Sequence, residues 1–208
     1  MKRIVIMALM CLPMAVMAQN DWEVPDEVVA APEETTEEVN PDQKYLAGAV
    51  TEENGKVVFH KVISAPGKSA DEIYTTLLDY TTRMTKGKNQ FETSRVLLND
   101  PQTHDIAVYF EEWLVFKSNA LMLDRTRLKF TLIIRCADGQ ADVRMQRISY
   151  LYDEARKPIN YTAEEWITDK ECLNKKQDKL YPVSGKFRRK TIDRKDFIFD
   201  KFEELLTK

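Results

Sequence analysis

Residues 127–136, RLKFTLIIRC, alternate between two sets of side chains without a break. Leu128, Phe130, Leu132, Ile134 and Cys136 share one parity; Arg127, Lys129, Thr131, Ile133 and Arg135 share the other. An extended backbone sends the two sets to opposite sides. Such a segment is one strand of an antiparallel sheet with a single buried face. Asp138-Gly139 then marks a tight hairpin turn into the next strand, residues 140–152. There Val143 and Met145 have one parity and Ile148, Tyr150 and Tyr152 the other. A β-bulge near Gln146-Arg147 is expected to return them to a common face.

The remaining elements are predicted around this hairpin. KVVFHKVIS, residues 56–64, is a β-branched run that reads as a strand. Ser69 and Glu72 form a capping box, and Ile73, Leu77, Tyr80 and Met84 follow along one helical face, with Gly87 as the stop. Strands are expected over 91–98 and 105–117, then over 125–137 and 140–152. Thr162 and Glu165 make a second capping box for a short helix, with Tyr161 placed to staple on Trp166. A lysine-rich loop is expected up to Gly185. Ile192, Phe199, Phe202 and Leu206 then define a stripe on a final helix, Asp193 to Lys208. The fold class is therefore α+β: strand, helix, four antiparallel strands, helix. Two helices cover one face of a single sheet, and a small helical insert precedes the last helix.

The amino-terminal region separates by composition. Lys2 and Arg3 precede an apolar run, Ile4 to Leu12, and Val16-Met17-Ala18 offers small residues for cleavage after Ala18. The run is too short to span roughly 30 Å of hydrocarbon, so residues 1–18 read as a signal peptide and the mature chain should carry no transmembrane segment. Cys11 follows Met10 inside the apolar run, where a lipid-attachment signal needs a very small residue, and is expected to leave with the signal. Residues 19–43 hold nine acidic and no basic side chains and should form a disordered tether, with Trp22 its one large apolar residue. Residues 44–208 carry a net charge of +4 and suffice for one domain. Export permits a Cys136–Cys172 disulfide, which spacing alone does not place.

Four stretches, YLAGAV, APGKSADEIY, AEEWITDK and SGKFRRKTIDRKD, resemble an exported bacterial family of unknown function described as having a TATA-binding-protein-like (TBP-like) fold. The resemblance covers about residues 45–206. The element order is that of one TATA-binding-protein half-repeat and is close to that of helix-grip carriers. The resemblance implies the fold and transfers no catalytic residue.

Chemistry-bearing motifs are sparse. His60 and His104 are the only histidines, and neither has a partner at metal-ligand spacing. No phosphate-cradling glycine loop, nucleophile elbow or C-x-x-C is present, so no catalytic residue, cofactor or metal is expected. Alternation places Glu112 among Ile106, Val108, Phe110, Leu114 and Phe116, where a buried carboxylate could serve as acid or base. A bulge or sheet edge turning it outward is the preferred expectation. The basic stretch Lys186, Arg188, Arg189, Lys190 and Arg194 is expected to form intrahelical pairs with Asp193 and its neighbours, while Phe187 anchors the helix start. The open sheet face is the better binding candidate, combining Tyr109 and Trp113 with Arg127, Lys129, Arg135 and Arg144. Aromatics interleaved with arginines stack on flat groups and clamp anions. Export and the lack of a second half-repeat argue against nucleic acid. The chain thus reads as a non-enzymatic envelope module that binds a protein or small molecule. The alternative is a helix-grip-like carrier of a small apolar ligand, which requires a cavity between the sheet and the last helix.

Overall fold

The structure, a computed structural model, describes residues 40–119 and 122–208. The expected signal peptide with Cys11, and the acidic segment with Trp22 as far as residue 39, lie outside the described residues. The elements in chain order are β1 (Glu52–Glu53), β2 (Lys56–Ser64), α1 (Ala70–Met84), β3 (Arg95–Asp100), β4 (Asp105–Asn119), β5 (Met122–Ala137), β6 (Gln140–Tyr152), β7 (Ile159–Thr162), the one-turn helices α2 (Ala163–Trp166) and α3 (Asp169–Cys172), and α4 (Pro182–Thr207). The strands form one antiparallel sheet in the order β1-β2-β6-β5-β4-β3, and β7 continues the line of β2 along β6. Among the described residues no helix is long and apolar enough to cross a membrane.

The sheet buries one face as its alternation requires. Ile106, Val108, Phe110 and Leu114 of β4, with Leu128, Phe130, Leu132 and Ile134 of β5, are fully buried. Phe110 stacks on Phe130 across the strand pair at 5.0 Å between ring centroids. The bulge falls where expected: pairing shifts from Thr131 opposite Gln146 to Lys129 opposite Ser149. Arg147 takes a φ of 56°, and Ile148 and Tyr150 join Val143 and Met145 in the core. The α1 capping box forms as read, with Ser69 Oγ accepting from the Glu72 amide and the Glu72 carboxylate accepting from the Ser69 amide. Ile73, Leu77 and Thr81 face the sheet fully buried. Phe199 and Phe202 of α4 fill the same layer. Each such large apolar side chain contributes on the order of 1.5–3 kcal/mol by leaving water.

Three expectations are corrected. The strand expected over 91–98 begins only at Arg95, and residues 87–94 instead form turns along the β4 edge. The last helix starts at Pro182, eleven residues before Asp193, so the basic stretch is helical. Gly185 is not a stop there: its amide donates to Tyr181 O, and a Cβ at this position would lie 2.9 Å from Leu180 Cβ. The glycine permits a close approach rather than breaking the helix. The folded part begins before Lys44, because Asp42 accepts two 2.6 Å bonds from Arg189 and a single 3-10 turn spans Gln43–Tyr45. Cys136 and Cys172, whose pairing the sequence leaves open, are both buried free thiols, and burial pushes the Cys136 thiol up to about 12.

Candidate functional site

Strand register decides what the outer face presents. Trp113 lies opposite Arg127, Glu111 opposite Lys129, and Tyr109 opposite Thr131. All of these have the parity that points away from the helices. Arg135 and Arg144 share that face but not the location. Arg135 lies eight residues along β5 from Arg127, about 27 Å at roughly 3.4 Å per residue, and faces Asp105 at 3.8 Å. Arg144 is tied to Glu53 at 2.7 Å and to Asp142 at 3.5 Å. The six residues singled out from the sequence therefore divide into a cluster of four, Tyr109, Trp113, Arg127 and Lys129, and two separate ion pairs.

Arg127 organises the cluster. It donates from Nε to Glu154 at 2.7 Å, makes a second bond to the same carboxylate, and reaches Glu111 at 3.1 Å. Its guanidinium lies 4.1 Å from the centre of the Phe91 ring. Phe91 in turn packs on Trp113 at 5.0 Å. Glu111 is only 5% exposed although it sits on the outer face, because the 87–94 segment folds across it. Burial pushes its carboxyl up, but Thr93, Arg127 and Lys129 outweigh that and hold it below the usual range. Burial, helped by the Glu111 charge, raises the Tyr109 phenol.

Beside this cluster, Arg125 lies flat over the Trp113 ring at 3.6 Å, close enough for a strong cation–π contact. Among the described residues Arg125 has no carboxylate partner. It opens on a groove of about 460 Å³ lined also by Leu123, Leu151 and Glu154. Sequence reasoning missed Arg125, Glu111, Phe91, Thr93 and Glu154. Parity alone places Arg125 and Glu111 on this face. Phe91 and Glu154 arrive from loops, for which parity has no rule.

The helical side of the sheet corrects the expectation for Glu112. The carboxylate does not turn outward: it is 2% exposed in the inner layer. Arg194 of α4 grips both of its oxygens, at 2.6 and 2.8 Å, and the Gln90 amide donates as well. A partner supplied by α4 removes the need for a bulge. Lys186, Arg188 and Arg189 are likewise held by tertiary contacts rather than intrahelical pairs, whereas Lys190 does feel the Asp193 charge one turn along the helix. Lys186 bonds Asp124 at 2.6 Å and Arg189 bonds Asp42. Arg188 is fully buried, donating to the carbonyls of Tyr45, Leu46 and Ile167 and to Asp169, all within 2.7 Å. Phe187 does anchor the helix start, packing among Phe116, Tyr150, Tyr152 and Trp166. His60 and His104 each face a single aspartate, Asp142 at 3.0 Å and Asp71 at 2.8 Å. Among the described residues no group of three potential ligands could hold a metal ion.

Comparison with known proteins places this geometry among relatives. The sequence model of a family described as a domain of unknown function (DUF4468) with TBP-like fold matches residues 59–151, the span from β2 to β6. The crystal structure of a DUF4468 family protein from Bacteroides ovatus ATCC 8483 is 39% identical, with a TM-score of 0.75 over 81% of this chain and 96% of that one. A TBP-like protein from Parabacteroides distasonis ATCC 8503 is 18% identical, with a TM-score of 0.60 over 76% of this chain and 96% of that one, a likeness of fold alone. No curated protein matches.

Proposed function

This chain belongs to the DUF4468 family of domains of unknown function with TBP-like fold, and from that premise we propose that it is an exported, non-enzymatic binding module of the cell envelope, meeting its partner through the outer face of the sheet. The observation that carries the reading is Arg125, stacked on Trp113 at 3.6 Å and facing a groove of about 460 Å³. Arginine on tryptophan is a combination that commonly dominates binding interfaces. The acidic residues Glu111, Asp142 and Glu154 interrupt the same face, so it offers no continuous positive track for a phosphate backbone. A protein or a small molecule suits it better. A non-enzymatic role is supported by Glu112, which is held in a buried ion pair by Arg194.

The test compares the mature chain with Arg125→Glu and Trp113→Ala variants in recovery of partners from an envelope extract, with a thermal melt of each. Arg125→Glu should lose its partner while melting as the parent does. Undiminished recovery with an unchanged melt removes this face from consideration. Export is tested separately by intact mass of the native protein, which should begin at Gln19 without lipid. A retained amino terminus or an acylated Cys11 refutes that part.

A further inference from the structure

A second recess lies at the β4 edge of the molecule, where the end of α1, the turn after it and the middle of α4 meet. Its volume is about 170 Å³, room for on the order of half a dozen water-sized groups. Apolar groups form much of the lining: Tyr80 and Met84 from α1, Phe197 from α4, and Trp113 at the rim. The polar lining is the Glu112–Arg194 pair with Asn89 and Gln90.

Three features make this recess unlike an ordinary surface dent. Its charged pair is nearly sealed from solvent, with side chains 2% and 6% exposed. Such a pair is a weak source of stability, because desolvation offsets most of the attraction, so stability alone is a poor reason for placing one here. The Tyr80 hydroxyl has no hydrogen-bond partner among the described residues, although burial raises its pKa and keeps it a donor. The two ends of the pair also give the lining opposite polarity, accepting near Glu112 and donating near Arg194. Because the pair is neutral as a whole, a charged guest loses hydration here without gaining a net counter-charge.

We infer that this recess is a binding site for a small uncharged molecule with an apolar body and a carboxamide-type head, in which a donor and an acceptor lie side by side. The head's N–H groups face Glu112, its carbonyl oxygen takes the Tyr80 hydroxyl, and its body lies against Met84 and Phe197. The site shares Trp113 with the Arg125 groove, but its polar groups and its apolar floor are its own, and it does not depend on that groove binding anything.

Three probes of one shape separate the possibilities: benzamide is neutral with donor and acceptor, benzoate is an anion with acceptors only, and protonated benzamidine is a cation with donors only. Each is titrated into the full mature chain by calorimetry, while the Trp113 indole resonance at the rim is followed by NMR. Benzamide should bind at least tenfold more tightly than either ion and should move the Trp113 resonance to saturation. Tyr80→Phe should weaken it several-fold, and Met84→Trp, which fills the recess, should abolish it while the melt shows a folded protein. No saturable benzamide binding overturns the inference, as does a series led by benzoate or benzamidine. Benzamide binding that survives Met84→Trp also overturns it, since the probe would then lie elsewhere. If a filled variant fails to fold, Tyr80→Phe decides alone: unchanged benzamide affinity refutes the site.

Discussion

Arg188 and Arg194 on the helical side of the sheet are 0% and 5% exposed, and each is fixed by acceptors drawn from other elements. On the outer side, Arg125 and Arg127 are half-buried and lean on aromatic rings. The sequence draws no such distinction: both groups are arginines close to phenylalanine, tyrosine or tryptophan. Position relative to the sheet assigns them different work. Inside, a guanidinium joins segments and its loss leaves charges and carbonyls without partners in a dry layer. Outside, water compensates for a lost contact, and the side chain stays available to a partner.

The contrast breaks first at Arg188. Arg188→Met should cost about 3–5 kcal/mol, since three carbonyls and Asp169 lose their donor together. A urea-denaturation loss below about 1 kcal/mol would show the buried arginine to be no more structural than an outer one. Next comes the Glu112–Arg194 pair. Glu112→Ala should cost about 3 kcal/mol by leaving Arg194 buried and uncompensated, whereas Glu112→Leu with Arg194→Met should restore most of that loss. A double-mutant cycle with additive losses would contradict the pairing. On the outer face the effects shrink. Arg127→Ala should cost about 1–2 kcal/mol, because Glu111 keeps only Thr93 and Lys129, and Arg125→Ala should stay within about 0.5 kcal/mol. Equal losses for these two would erase the distinction between tied and available arginines.

Smallest is the pH response of Glu111. Its folded pKa lies below the ordinary value of 4.5, so its contribution to stability is present above that pH. The contribution declines as pH falls below about 4.5 toward the folded pKa, where the native carboxylate finally takes up its proton. Thermal melts from pH 6 down to about 3 should show part of the acid-side decline missing in Glu111→Gln. A Glu111→Gln profile identical to that of the parent would mean that the outer cluster does not hold the carboxylate.

Features encoded by nearby residues were legible in the sequence. The β2 limits follow from its β-branched run, both capping boxes from a hydroxyl three residues before a glutamate, and the bulge from the parity change between Met145 and Ile148. What failed depends on distant partners. Alternation puts Glu112 inside, yet an outward turn is preferred from the sequence because the partner that neutralises it, Arg194, is 82 residues away and no local pattern pairs the two. The start of α4 at Pro182 is hidden by Gly185, which resembles a stop unless the neighbouring Leu180 is known to press on it. β7 is four residues long, too short for an alternating pattern to announce it. The binding face was legible as a set of residues but not as a place, because pairing in register separates Arg135 and Arg144 from Trp113.

The four acceptors of Arg188 also impose an order in time. Tyr45 lies 143 residues before Arg188 and Ile167 lies 21 before it, so the contact closes only when both ends of the domain and the insert have come together. The charge gives up its water only when all these acceptors are in place, which puts the closure late in folding, after the sheet is already paired. During synthesis the carbonyls of Tyr45 and Leu46 remain hydrated until α4 has been made. The same late contact must break early for the domain to come apart. Interactions absent from the transition state slow unfolding without hastening folding. Arg188 therefore acts as a latch on the lifetime of the native state, and its removal should shorten that lifetime far more than it alters the rate of refolding.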